Sequence, residues 1–189
     1  CFSIDNGKEL WNIKTDNSFV KSQKKLSLLI SDKKIYFNNT LGDISAVNIE
    51  KGKLIWQTPT QDSSIYASSF HLKTSDLIIG NKAILFSNNK NEFYSIDIKT
   101  GTLIWKQKIS SSVRPSVVDN FVFTVTENGF LIVLEAKTGE IIRITNIFSL
   151  IKKKEKSKVK PVGFVIGKKN IYLTTNNGRL IVIDILTGK

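Results

Sequence analysis

The sequence predicts an all-β fold made of repeated blades of four short antiparallel strands, the architecture of a β-propeller. Three observations predict it. Glycines recur at 7, 52, 101, 139 and 188, with spacings of 45, 49, 38 and 49 residues. Periods of about 40 to 50 in a chain rich in Ile, Val, Leu and Phe are those of propeller blades. Four residues after the first four glycines stand Trp11, Trp56, Trp105 and Arg143. Finally, short apolar runs bounded by Asn, Asp and Gly fill the chain, and none sustains a 3.6-residue period.

The elements follow in order from the fourth repeat, where the signals are clearest. Ser116-Val117-Val118 reads as one short strand and Asp119-Asn120 as a turn. Phe121 to Thr126 is a second strand, and Glu127-Asn128-Gly129 turns again. Phe130 to Glu135 is a third strand, and Lys137-Thr138-Gly139 closes a hairpin into a fourth, Glu140 to Asn146. Asn, Asp and Gly stand where such hairpins need positive φ. The second and third repeats have first turns at Asp32-Lys33 and Asn81-Lys82, and second turns at Asn38-Asn39 and Asn88-Asn89-Lys90-Asn91. The expected segments are a partial blade over 1–14, blades over 26–57, 65–109 and 114–147, and a partial blade over 161–189.

Within a repeat, each of these residue types has a structural task. Gly7, Gly52, Gly101, Gly139 and Gly188 permit the left-handed turn between third and fourth strands. Acidic residues ahead of them, such as Asp97 and Asp184, bond turn amides. Trp11, Trp56 and Trp105 fall on fourth strands, where a large ring fills the wedge between neighbouring blades. Arg143 replaces the Trp, so its joint is expected to pack differently.

This pattern resembles the tryptophan-docking repeats of the pyrroloquinoline-quinone (PQQ) type, A-x-D-x-x-x-G-x-x-x-W, over nearly the whole chain. The resemblance implies two groups: quinone-dependent dehydrogenases, and BamB-type lipoproteins that scaffold outer-membrane protein assembly. Short blades without cofactor-sized insertions are more similar to the second. The resemblance therefore implies a non-catalytic scaffold, periplasmic or outer-membrane associated, with a protein partner among outer-membrane assembly components and no cofactor. PQQ with calcium belongs only to the alternative, a dehydrogenase fragment whose site lies largely outside this chain.

Cys1-Phe2-Ser3-Ile4-Asp5 aligns with Phe93-Tyr94-Ser95-Ile96-Asp97, which places Cys1 in a third strand and Lys8 to Lys14 in a fourth. The last repeat supplies three strands, Gly163 to Gly167, Ile171 to Thr175 and Arg179 to Ile185. Either residues 8 to 14 complete that last blade in a four-bladed ring, or the chain is about half of an eight-bladed one. The half-ring reading is preferred, because Thr187-Gly188-Lys189 breaks off mid-hairpin. It predicts a two-fold dimer that completes a ring. Cys1 reads either as a truncation point or, as the resemblance implies, a lipidated residue; its place in the repeat register favours the former.

The 189 residues carry 28 Lys and Arg against 16 Asp and Glu, a formal charge of +12. Lys supplies 25 of those cations and Arg only 3. Nucleic-acid readers use Arg's planar fork more heavily, so no nucleic-acid partner is expected. No apolar run reaches the ~20 residues of a transmembrane helix. One Cys and one His cannot make a standard zinc site, and no dinucleotide-binding or phosphate-binding glycine motif occurs. His71 reads as structural or exposed, and Asn38-Asn39-Thr40, a formal glycosylation sequon, reads as a turn. No catalytic, cofactor or metal residue is assigned.

One segment stands out by charge. Lys152, Lys153, Lys154, Lys156, Lys158 and Lys160 lie within nine residues with only Glu155 opposing, a net +5. They join a fourth strand to the next first strand, as do Lys21, Lys24 and Lys25 in Thr15 to Lys25. Such a run reads either as a solvated, mobile loop or as a basic rim that attracts acidic partners through salt-sensitive forces. Connections of that class in a propeller all emerge on one face, and Arg114, just before Pro115 in a connection on the same face, is a further candidate contact.

Overall fold

The computed structural model describes residues 1–15, 27–39, 42–60, 74–88, 91–149 and 151–188. The strands are β1 (Leu28–Ser31), β2 (Lys34–Asn38), β3 (Ile44–Asn48), β4 (Leu54–Thr58), β5 (Ile78–Gly80), β6 (Ala83–Ser87), β7 (Phe93–Asp97) and β8 (Leu103–Gln107). They continue as β9 (Ser116–Val118), β10 (Phe121–Val125), β11 (Phe130–Glu135), β12 (Ile141–Asn146), β13 (Pro161–Ile166), β14 (Asn170–Thr175) and β15 (Leu180–Asp184). A single helical turn, α1 (Lys153–Lys156), precedes β13. Each sheet is an antiparallel meander: β1-β2-β3-β4, β5-β6-β7-β8, β9-β10-β11-β12 and the three-stranded β13-β14-β15.

Local chemistry sets the turns. Asp32-Lys33 and Asn81-Lys82 both adopt positive φ at the two central positions, as does Asp119 at the first; that geometry matches the twist of the flanking strands. At the third turn, Gly52, Gly101, Gly139 and Gly188 have φ between +65° and +74°. Their N–H donates to the carbonyl four residues back where Asn48, Glu135 and Asp184 stand. A slip in register just before this turn recurs at Ala46/Val47, Ser95/Ile96 and Val133/Leu134.

The chain divides into two compact units, Cys1–Leu72 with Lys99–Thr102, and Lys73–Ile98 with Leu103–Lys189. In the second, β11 is buried on both faces. Leu131 and Val133 join a core with Phe148, Ile171 and Leu173. Ile132 and Leu134, pointing the opposite way, join another with Leu85, Phe93 and Trp105. Alternate side chains leave a strand on opposite faces, so a near-continuous apolar run is what a strand packed on both sides requires. Removing that surface from water contributes roughly 25 cal/mol per Å².

Two expectations need correction. Residues 8 to 14 form no strand; Glu9 makes an isolated bridge to Phe2, and no fourth strand joins β13-β14-β15 among the described residues. The first repeat is also in a different register. Gly7 N–H donates to Ser3 O at 2.9 Å and Ser3 N–H to Lys8 O at 2.8 Å. Those are the bonds that Asn48 and Glu135 make in their own repeats. Ser3, and not Asp5, therefore holds the position of Asp97, and Cys1 that of Ser95. The alignment on Asp5 failed because the turn position takes any oxygen-bearing side chain, from Ser3 to Glu135, and Ser3 Oγ accepts from Asp5 N–H at 3.3 Å.

Candidate functional site

The joints come first, because they position everything else. Trp11 lies over Gly52: a Cβ on that glycine would stand 2.5 Å from the ring. Trp56 covers Gly101 and Trp105 covers Gly139 in the same way, at 2.6 and 2.5 Å. The indole N–H groups of Trp11 and Trp105 donate to Ile49 O and Ala136 O, both at 3.0 Å. Each of these carbonyls lies three residues before the covered glycine. The buried N–H of Trp56 has no such partner.

Arg143 performs the joint differently. Its Nη2 donates to Ile185 O at 2.6 Å and its Nη1 to Leu186 O at 2.7 Å. Ile185 also lies three residues before its glycine, Gly188, so the guanidinium reaches the same acceptor as the indoles. Thr145 Oγ1, in place of a ring, stands 2.7 Å from where a Gly188 Cβ would be.

The turns hold two perturbed carboxylates. Glu135 Oε2 accepts from the hydroxyl and N–H of Thr138 at 2.8 and 2.6 Å, and these bonds lower its pKa. Asp184 is lowered by the N–H and hydroxyl of Thr187, and less by the charge of Arg143. Hydrogen bonds to the charged form favour ionisation. These are caps of turns, with no geometry for proton transfer to a substrate.

The lysine segment is anchored where the sequence allowed a mobile loop. Ile151 and Val159 are buried at its two ends, and residues 153–156 make the helical turn. Asn176, in the β14–β15 turn, accepts from Lys160 N–H at 2.8 Å and donates to Lys158 O at 3.0 Å. Glu155 pairs with Arg179 at 2.6 Å, so the one opposing carboxylate is committed elsewhere. Lys152, Lys153, Lys154, Lys158 and Lys160 are exposed and Lys156 is half-buried. The backbone of the segment is thus tied to the β14–β15 turn, and most of its ammonium groups face solvent. Neither Asn176 nor Arg179 was singled out from sequence; only their place in a hairpin turn marks them.

Arg114 stands in the connection from β8 to β9, the same class of connection, from a fourth strand to the next first strand, as the lysine segment between β12 and β13. It lines a groove of about 450 Å³ between the first strands of three sheets, with Ile78 and Ile79 of β5, residues 115–118, and residues 164–166 of β13. None of the lysines lines it. His71, Thr40, Lys21, Lys24 and Lys25 lie outside the described residues. Among the described residues no three His, Cys, Asp or Glu side chains gather. Calcium takes six to eight oxygens, mostly from carboxylates and carbonyls; the groove lining offers no carboxylate. Among the described residues, no helix is long and apolar enough to cross a membrane.

Four-stranded meanders whose fourth strands dock onto the glycine of a following turn define a β-propeller of tryptophan-docking repeats. The chain belongs to the family described as outer membrane protein assembly factor BamB, whose model matches residues 1–145. No curated protein matches it. Among solved structures it is similar to BamB from Moraxella catarrhalis at 15% identity and TM-score 0.65, over 87% of this chain and 47% of that one. The computationally designed Ika4 protein, also at 15% identity, has a TM-score of 0.64 over 95% of this chain and 99% of its own. Quinohemoprotein alcohol dehydrogenase from Comamonas testosteroni, at 13% identity, has 0.63 over 86% and 33%. These likenesses show the fold, which BamB, designed and dehydrogenase structures share. The chain spans about half the length of the BamB structure.

Proposed function

We propose that the chain is a non-catalytic scaffold that docks a protein partner in outer-membrane β-barrel assembly, at the periplasmic side of that membrane. The observation that carries this reading is the anchored lysine segment on a BamB-family repeat fold. Its backbone is held by Glu155–Arg179 and Asn176, so the segment itself needs no further ordering to present its cations. An acidic partner surface would be steered to it by long-range attraction and released by salt.

The test uses the tagged chain directed to a bacterial periplasm and recovered with outer-membrane extract at low and moderate salt. An identified outer-membrane assembly component should co-purify with the parent chain at low salt. It should be lost from a variant with Lys152, Lys153, Lys154 and Lys156 changed to Gln. Retention by that variant, or recovery of no assembly component, would sink the proposal. Calcium-dependent quenching of tryptophan emission by added PQQ would favour a dehydrogenase fragment instead.

A further inference from the structure

The groove at Arg114 is not used by the scaffold reading, and its chemistry is specific. Its volume of about 450 Å³ lies within the roughly 300–1,000 Å³ typical of small-molecule sites. Aliphatic and aromatic side chains run along it: Ile79, Val117 and Val118, Phe164, Val165 and Ile166. Val165 is 63% exposed and Val118 40%, so aliphatic surface lies open along the groove. Two polar side chains line it, Ser116 and Arg114, and Arg114 is the one charged residue in the lining. Among the described residues, that guanidinium has no acidic partner.

Each fact restricts the occupant. The lining is shared between polar and apolar surface, which suits an occupant with a hydrocarbon stretch and a polar head. A single cation matches a single anion. The planar guanidinium fork matches a carboxylate in two parallel hydrogen bonds. We propose that this groove binds a small amphiphilic monocarboxylate, its chain along Val117, Val165 and Ile166 and its headgroup on Arg114.

Octanoate is the probe, with octan-1-ol and octylamine as uncharged and cationic counterparts, titrated into the methyl-labelled chain and followed by NMR. The expected result is saturable shifts at the methyls of Ile79, Val117 and Val165 with octanoate. Octan-1-ol and octylamine should bind about tenfold more weakly or worse, the loss of one charge-assisted pair. Arg114→Gln should weaken octanoate about tenfold and leave octan-1-ol unchanged, as expected for loss of that pair alone. Arg114 is exposed, so the variant should keep the parent circular dichroism spectrum. Absence of saturable shifts overturns the proposal. So does equal binding of octanoate and octan-1-ol, or an Arg114→Gln chain that binds octanoate as before. An extended apolar peptide that occupies the groove and is not displaced by octanoate would also overturn it, in favour of a protein-binding surface.

Discussion

Gly139→Ala tests whether the ring-on-glycine joint holds the fold, and Gly178→Ala supplies its control. Both glycines have left-handed backbone, φ +73° and +77°, and both lie in the second compact unit. A Cβ at Gly178 meets nothing within 4 Å, whereas one at Gly139 falls 2.5 Å from Trp105 Cδ2 and 2.7 Å from Cε3. Carbon atoms settle about 3.5–4.0 Å apart, so the ring must retreat by about 1 Å. It has little room: Trp105 is buried, stacks on Phe93 with centroids 6.0 Å apart, and donates to Ala136 O. The left-handed backbone costs an Ala about 1–2 kcal/mol at either site. The overpacked ring adds about 1–3 kcal/mol at Gly139 alone. The gain from a stiffer unfolded chain is shared and cancels in the comparison. Urea unfolding of the full chain, followed by far-ultraviolet circular dichroism, should place Gly139→Ala lower by about 0.5–1.5 M in midpoint, taking m near 2 kcal/mol/M. In a Trp105→Leu background the two alanines should cost the same. Equal midpoints in the parent background, or an unchanged gap in the Leu background, would refute the reasoning.

Three further perturbations follow from the same geometry. Arg143→Met should cost about 1–2 kcal/mol by urea unfolding, the worth of two partly solvated charge-assisted bonds. Arg143→Trp should stay within about 1 kcal/mol of the parent, one hydrogen bond to Ile185 O replacing two. Glu135 and Asp184 are both depressed, so their stabilisation is full above the ordinary carboxylate range and is lost as pH falls through their lowered values. Glu135→Gln with Asp184→Asn should flatten the acid limb by bringing neutral stability down toward the acid value, read as a lower thermal midpoint at pH 7 and little change at low pH. Finally, Arg179→Gln frees Glu155 and should raise amide exchange across residues 152–160, with a global cost of no more than about 1 kcal/mol for so exposed a pair.

Sequence carried the repeat and its turns, because hairpin turns and ring-on-glycine joints depend on residue type at fixed spacing. It carried the register of the first repeat less well, because Asp5 offered the expected residue type two places from the turn position that Ser3 fills. The helical turn at 153–156 was invisible, being too short to establish a period. Its anchorage depends on Asn176 and Arg179 at the far end of a different hairpin. The groove was equally hidden: β5, β9 and β13 read as ordinary short strands, and only the fold aligns their edges. Arg114 was singled out from the chain, but its setting was not.

The joint at Arg143 has a consequence for how such repeats drift. The common element of three joints is a backbone carbonyl three places before a glycine, reached by an indole from Trp11 and Trp105 and by a guanidinium from Arg143. A backbone acceptor cannot be lost by substitution, whereas the donor can be exchanged for any side chain of sufficient reach. The family model stops at residue 145, two residues past the exchange, yet Gly188 N–H still bonds Asp184 O as its counterparts do. Substitution can therefore erase the tryptophan signature at a joint, as at Arg143, and keep the joint itself. Relatives of this kind are better sought by the glycine and its acceptor than by the tryptophan.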